Sequence, residues 1–341
     1  MLKILARPAW SNRTSNPFNS ELYSALVAKG AQVDEFYPWS VLCKRYDVIH
    51  VHWPESSFKH NLLGALLTTT VLLWALRIGK WRGAKVVWTV HNLHAHERKF
   101  PKSEARMWRQ FLPLVDTLHA MTSSSLAAIR CLHPILENVP GFVVPHGHYR
   151  KAYPEGPGRE RARELLGIPQ HAPVIVFVGQ ILDYKNVPAL MDAFLEMHSK
   201  EAWLIVAGRP HSREIARQLQ VRAANNSRIQ LRLKFLANTE IGQVLHGADI
   251  VVLPYREILN SGSALLALSF DRPVLMPMSS SSADLRTRVG DSWVSCYEEP
   301  LSVQILQDQL QLAMRLHGSL APLDSLSWHA LAAEFLVFLQ N

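Results

Sequence analysis

Short apolar runs alternate along this chain with longer stretches in which apolar residues recur every three or four positions. In the first half the runs Leu2–Ala6, Gln32–Phe36, Val48–Val51, Lys85–Val90, Thr117–Ala120 and Gly141–Val144 predict strands. In the second half the runs are Val174–Val178, Ala202–Ala207, Ile229–Leu233, Ile250–Leu253 and Pro273–Met276. They are too short for helices, and the wholly apolar ones such as Ile250–Leu253 suit parallel strands buried on both sides. Strands alternating with helical patterns predict an α/β fold with parallel sheets. The stretch Lys151-Ala-Tyr-Pro-Glu-Gly-Pro-Gly158 interrupts the alternation as a linker. The expected architecture is therefore two Rossmann-like domains, 1–150 and 151–324, followed by an amphipathic helix in 325–341 that contains Trp328.

Two predicted helix starts stand out. In Asp249–Pro277 a buried strand is followed by Asn260-Ser261-Gly262-Ser263, an apolar helix and a second buried strand. Asn and Ser cap helices, glycine allows close approach to the backbone, and the free N–H groups there suit a phosphate or diphosphate. An ordinary capped helix would read the same way. After the first strand, Asn16 as cap and Pro17 at the first helical position start a helix that brings Phe18 with it and ends at Gly30. Such a start, beyond a strand end in an open α/β sheet, is a usual ligand position.

Leu62–Leu76 carries no charge over fifteen residues. About 20 apolar residues are needed to span a bilayer, so this stretch predicts a helix buried on the sheet or lying in a membrane interface. Burial on the sheet is the plainer reading, while the basic and aromatic residues that follow (Arg77, Lys80, Trp81, Arg82, Lys85) fit the interface alternative. Charge distribution adds to that: residues 1–150 hold 18 Lys and Arg against 9 Asp and Glu, whereas residues 151–341 hold 18 against 19. A basic first half faces something anionic, such as a membrane or a lipid phosphate. No nucleic-acid signature accompanies it, which excludes nucleic acid as the expected partner. Three scattered cysteines, Cys43, Cys131 and Cys296, imply neither a disulfide framework nor a cysteine zinc site. Met1 runs straight into a strand pattern rather than a leader, so the expectation is a cytoplasmic protein.

Seven of the sixteen histidines fall in three windows at predicted strand ends: His50-Val-His52-Trp53-Pro54-Glu55, His91-Asn92-Leu-His94-Ala-His96-Glu97 and His146-Gly-His148. Histidine transfers protons near neutral pH, so the set reads as a site. Metal binding competes for the His-x-His pairs, but zinc histidines carry a clearer spacing, and no metal or other cofactor is expected. In the second half Lys185 follows the strand end at Gly179 and is placed as a phosphate-binding cation beside Tyr184; a solvated surface lysine is the plain alternative.

The segments SNPF (15–18), RYDVIHVHWPE (45–55), TVHNLHAHE (89–97), PHGHYR (145–150), VFVGQILDYKNVPALMDAF (176–194) and NSGSALLALSFDRPVL (260–275) resemble GT-B glycosyltransferases of the glycogen-synthase-like superfamily. Their wording is most similar to bacterial xanthan-type exopolysaccharide β-mannosyltransferases. The resemblance spans nearly the whole chain. It implies two Rossmann-like domains facing across a cleft, the acceptor on the first, a nucleotide-sugar donor on the second, and a final helix returning to the first.

By the same resemblance Lys185 holds the donor diphosphate, with Asn260, Ser261, Gly262 and Ser263, and His91 sits by the transferred sugar. Asn16, Pro17, Phe18, His52, Trp53, Asn92, His146, His148, Tyr184 and Tyr255 are expected to line the donor or acceptor site. His91 is the expected base, with Glu97 and Glu55 as alternatives. The sequence departs from the superfamily at Gln180, where an arginine is usual, and at Leu259 and Ala267, where a glutamate pair is usual. The expected activity is metal-independent, inverting transfer of mannose from GDP-mannose to a lipid-linked oligosaccharide at the inner face of the plasma membrane. A retaining enzyme using a UDP-sugar, a sugar-nucleotide epimerase and a non-catalytic binder are the alternatives.

Overall fold

Among the described residues the eleven runs and one further strand form two parallel six-stranded sheets. A computed structural model of the chain describes residues 1–14, 16–59, 61–93, 100–197, 199–257 and 259–340. The first sheet has the order β2-β1-β3-β4-β5-β6, built from β1 (Lys3–Arg7), β2 (Gln32–Glu35), β3 (Val48–His52), β4 (Lys85–Thr89), β5 (Thr117–Ala120) and β6 (Gly141–Val143). The second has the order β12-β11-β10-β7-β8-β9. Its strands are β7 (Val174–Val178), β8 (Trp203–Ala207), β9 (Ile229–Arg232), β10 (Ile250–Val252), β11 (Val274–Pro277) and β12 (Val294–Tyr297). Each sheet begins mid-order and reverses, which opens a ligand crevice at the carboxyl ends of its central strands.

The chain divides into two compact units, Met1–Gly147 with Leu326–Asn341, and His148–Ser325. In the first, the C-terminal helix Trp328–Gln340 packs with the helix Phe18–Ala28 over one face of the sheet. Phe335, Trp328, Leu331, Phe18, Leu22 and Tyr23 form the core between them. Gly147 is needed for this closure: a Cβ there would stand 2.4 Å from the Trp328 indole. In the second unit Asp249, at the start of β10, is fully buried. It accepts hydrogen bonds from Arg163 at 2.9 and 3.1 Å and from the Val174 amide at 2.7 Å, tying the helix Gly158–Leu166 to the sheet.

Three details differ from expectation. β12 carries Ser295 and Cys296 inside a short, partly exposed edge strand, so its apolar signal is weak. The first helix starts at Phe18 with Pro17 at the cap; Asn16 still serves it, its Oδ1 accepting from the Phe18 amide at 3.1 Å. The uncharged stretch belongs to a 20-residue helix, Leu62–Trp81, long and apolar enough by length and composition to cross a membrane. One face of it is buried all the same: Ala65, Thr69, Leu72, Leu73, Leu76 and Gly79 pack inward, and a Cβ on Gly79 would stand 2.1 Å from Ile49.

Candidate active site

In the first unit the site begins with strand alternation. His50 and His52, two apart on β3, share a face. Thr89 on β4 lies in register with His52 and, on its other side, with His119 on β5. The result is a polar row across the sheet, under the helix that carries Tyr23 and against Phe335 of the last helix. Tyr23 Oη lies 2.8 Å from His50 Nδ1 and 2.6 Å from His52 Nε2. Thr89 Oγ1 lies 2.6 Å from His50 Nε2 and 2.9 Å from His119 Nδ1. His119 Nε2 donates to the Val144 carbonyl at 3.0 Å, and His52 Nδ1 lies 2.8 Å from His91 Nε2.

His91 is where this row reaches the strand ends, and it keeps partial exposure. Trp53 stacks on its ring at 3.9 Å and 19°. Phe18 meets it edge-on at 5.0 Å and meets His146 at 4.8 Å. Trp53 holds φ at +44°, a conformation a bulky side chain adopts at a cost of about 1–3 kcal/mol. Surrounding packing over-determines it, and the indole is thereby laid flat on His91. Glu55, on the turn after β3, acts electrostatically on the buried Arg7 guanidinium, whose Nη2 donates to Ser57 at 2.9 Å. Burial lowers the Arg7 pKa to about 10, with Glu55 opposing.

Burial pushes His50, His52 and His91 well below the usual histidine range, and takes His119 and His146 to about 4. Neighbouring histidines reinforce the shift at His50, His52, His91 and His119. All five rings are therefore neutral at pH 7. Their stability contribution is whole above the unfolded pKa of about 6.5 and is lost as pH falls toward the folded values, because the unfolded chain takes up protons that the folded one refuses. Each such ring adds a slope approaching about 1.4 kcal/mol per pH unit. Together they make folding less favourable as pH falls below about 6.5. Thermal melts should show a fall below that pH; a melting temperature unchanged from pH 7 to 5 would mean that these rings are solvated or charged in the folded protein.

In the second unit Lys185 ends the short turn Asp183–Lys185 and is buried, its ammonium 5.1 Å over the Tyr255 ring. Burial lowers its pKa, and among the described residues no carboxylate pairs with it. The following Asn186 turns left-handed, φ +49°, and its Oδ1 accepts from Arg256 at 3.1 Å, which fixes the lysine turn to the loop after β10. Gly179, at φ +129°, makes room: a Cβ there would stand 2.8 Å from Ser263 Oγ and 3.3 Å from Lys185 Nζ. Lysine, hydroxyl and glycine thus converge at the end of β7. Ser261 caps the helix Gly262–Ser269, its Oγ accepting from the Ala264 amide at 3.2 Å. The buried Tyr255 hydroxyl lies toward Ser261 and Ser263 without a well-formed hydrogen bond among the described residues, and burial raises its pKa to about 12. A buried cation, a buried hydroxyl and a helix start with its N–H groups are what an anionic diphosphate needs.

Among the sequence-predicted residues, the structure gathers Phe18, His52, Trp53, His91 and His146 in the first unit, with Asn16 and Pro17 at the helix start and Asn92 next in chain. It gathers Lys185, Tyr184, Tyr255 and Ser263 in the second, with Asn260, Ser261 and Gly262 on the same loop and helix start. His148 begins the second unit and does not join the ring cluster around Phe18. His94, His96 and Glu97 lie outside the described residues. Among the described residues no three His, Cys, Asp or Glu side chains are grouped to hold a metal ion. Tyr23, Thr89 and His119 escaped the sequence reading; the polar alternation His50-x-His52 and Thr89-x-His91 within apolar strands was the signal that could have found them. Of the two positions where the sequence departs from the superfamily's glutamate pair, Leu259 is half-buried and Ala267 buried.

Two parallel-sheet Rossmann-like units are the architecture of the GT-B fold. The profile of the family "Glycosyl transferases group 1" matches residues 172–289. A GDP-mannose:glycolipid 4-beta-D-mannosyltransferase of Xanthomonas campestris pv. campestris is 30% identical over 323 residues, which is 93% of this chain and 86% of that protein. Among solved structures, Anabaena Alr3699/HepE in complex with UDP-glucose superposes with a TM-score of 0.66 at 17% identity, covering 99% of this chain and 100% of that one. WaaG, a glycosyltransferase involved in lipopolysaccharide biosynthesis, does so with 0.62 at 16%, covering 98% of each. The chain belongs to the group 1 glycosyltransferases of the GT-B class.

Proposed function

We propose that this enzyme transfers mannose from GDP-mannose to a lipid-linked oligosaccharide in exopolysaccharide assembly, with inversion and without a metal. The 30% identity to a mannosyltransferase of that donor and acceptor class, sustained over 93% of the chain, is the observation that carries this reading. In the reaction an acceptor hydroxyl oxygen attacks C1 of the sugar, the bond from C1 to the diphosphate breaks, and GDP departs with the electron pair. His91 takes the hydroxyl proton, with Glu55 and Glu97 as the competing bases. Lys185, Ser263 and the N–H groups at the helix start Gly262 receive the charge developing on the diphosphate, the task a metal would otherwise perform. Asn16, Phe18, His52, Trp53, Asn92 and His146 shape the acceptor side, and Tyr184, Tyr255, Asn260 and Ser261 the donor side. Purified enzyme given labelled GDP-mannose, UDP-glucose or UDP-galactose, with and without bacterial lipid extract and in excess EDTA, tests this. Acceptor-dependent mannose transfer in EDTA is the expected result. Transfer only from a UDP-sugar, isomerisation without acceptor, or binding without turnover would each replace the reading by another.

A lipid-linked acceptor places the enzyme at the inner membrane face, and the Leu62–Trp81 helix supports such contact. Its outer stripe, Leu63, Leu67, Trp74 and Trp81, is 81, 68, 39 and 85% exposed, with Arg77 on the same side. Lys80 does not belong to this surface: it donates to Asp116 at 2.5 Å and to the Leu114 carbonyl at 2.9 Å. Apolar insertion plus about 1 kcal/mol per basic residue near an anionic leaflet gives a reversible attachment. Flotation with vesicles of phosphatidylglycerol and phosphatidylcholine should rise with the anionic lipid, fall with salt, and be lost when Leu63 and Leu67 become Glu. Flotation indifferent to those substitutions would assign the stripe another purpose.

A further inference from the structure

We propose that the Val144 carbonyl dictates, through an unbroken row of hydrogen bonds, the tautomer in which His91 offers Nδ1 as a proton acceptor. Tyr23, His50, His52, Thr89 and His119 are then positioning residues for the transfer step. The inference rests on the reading of His91 as the base.

The direction of every bond follows from one fixed end. A carbonyl oxygen only accepts, so His119 carries its proton on Nε2, 3.0 Å from Val144. A neutral imidazole has one donor and one acceptor, so His119 Nδ1 must accept, and the Thr89 hydroxyl 2.9 Å away donates to it. That hydroxyl has spent its single proton, so the contact of 2.6 Å with His50 Nε2 is a donation from His50. His50 Nδ1 is thereby an acceptor and takes the Tyr23 hydroxyl proton at 2.8 Å. Tyr23 oxygen can then only accept from His52 Nε2 at 2.6 Å. His52 Nδ1, left with a lone pair, accepts from His91 Nε2 at 2.8 Å. His91 holds its proton on Nε2, and its lone pair on Nδ1.

Among the described residues the row from Val144 to His91 contains no carboxylate, which separates the device from an Asp–His pair. A carboxylate beside His91 would raise its proton affinity; a row of neutral groups selects the tautomer while leaving the ring neutral. When Nδ1 takes a proton, the charge can pass along the row: His91 Nε2 gives its proton to His52, and each later group gives one and receives one, ending with a proton on His119 Nδ1. Atoms balance at every link, and no group outside the row is required. The row is walled from water by Phe335 and Phe18, 4.7 Å from the His119 ring and 6.0 Å from the His52 ring, which keeps solvent from resetting the tautomers.

The test reads the tautomers directly. Histidine-selective ¹⁵N labelling, with rings assigned by single His→Gln variants, should show His50, His52, His91 and His119 of the wild type all protonated on Nε2 alone at pH 7. Tyr23→Phe keeps the packing and cuts the row; His52 and His91 should then become mixtures of both tautomers while His119 stays unchanged. Its kcat should fall in proportion to the share of the competent tautomer lost, about twofold for an even mixture, with KM unmoved, since a tautomer present part of the time supplies base part of the time. Wild-type His91 protonated on Nδ1, or a Tyr23→Phe spectrum identical to wild type, would overturn the proposal. Full activity in His91→Asn would instead remove the base reading, whatever the tautomers prove to be, so the two failures are distinct.

Discussion

Replacing His91 by asparagine should lower kcat by about 10²–10⁴ with donor binding retained if this ring is the base, because an amide keeps a hydrogen-bonding shape but cannot take the acceptor's proton. The ring is fixed by Trp53 stacked at 3.9 Å and by His52 at 2.8 Å, so little is lost in orienting it before reaction. Its lowered pKa sets the pH dependence. A base works in its neutral form, which predominates above the pKa, so the acidic limb of kcat should lie well below pH 6.5 and activity should stay level from pH 7 to 6. Steady-state rates against pH in a lipid-acceptor assay check both statements. A His91→Asn enzyme close to wild type, together with an inactive Glu55→Gln, would move the base to the carboxylate after β3.

Lys185→Ala should cost about 10²–10³ in kcat, the usual effect of removing one preorganised stabiliser of developing charge. Folding should survive, since desolvating this ammonium opposes folding and its removal relieves that cost. The expected melting temperature of the variant is equal to or above that of the wild type, while protection by added GDP is weakened. Lys185→Arg is the sharper control: a guanidinium is larger, and Gly179 leaves only enough room that a Cβ would approach Nζ to 3.3 Å. Arginine should therefore restore little. Wild-type turnover in Lys185→Ala would return the lysine to a structural role against Tyr255.

Much of this protein is legible in the order of its residues. Runs such as Val174–Val178 and Ile250–Val252 have no polar position to show to water, so two-sided burial in a parallel sheet is forced by composition alone. The clusters at His50, His91, Lys185 and Ser261 follow such runs immediately, and strand ends in parallel sheets are where loops carry ligands. What the linear pattern cannot convey is which side chain meets which across separate strands. Tyr23 reads as a core aromatic of an apolar helix, and Thr89 and His119 read as strand residues. They become parts of one row only because parallel register sets His52, Thr89 and His119 abreast. Lys80 looked like one more cation for a membrane until Asp116, thirty-six residues away, took it up. Lysines also default to solvent; that Lys185 is buried over Tyr255 is decided by the left-handed turn at Asn186 and by the missing side chain at Gly179. Local sequence determined the elements and the chemistry gathered at their ends, because hydrophobic periodicity is a short-range property. Tertiary structure alone decided tautomer, pairing and burial, because each depends on atoms brought together from distant parts of the chain.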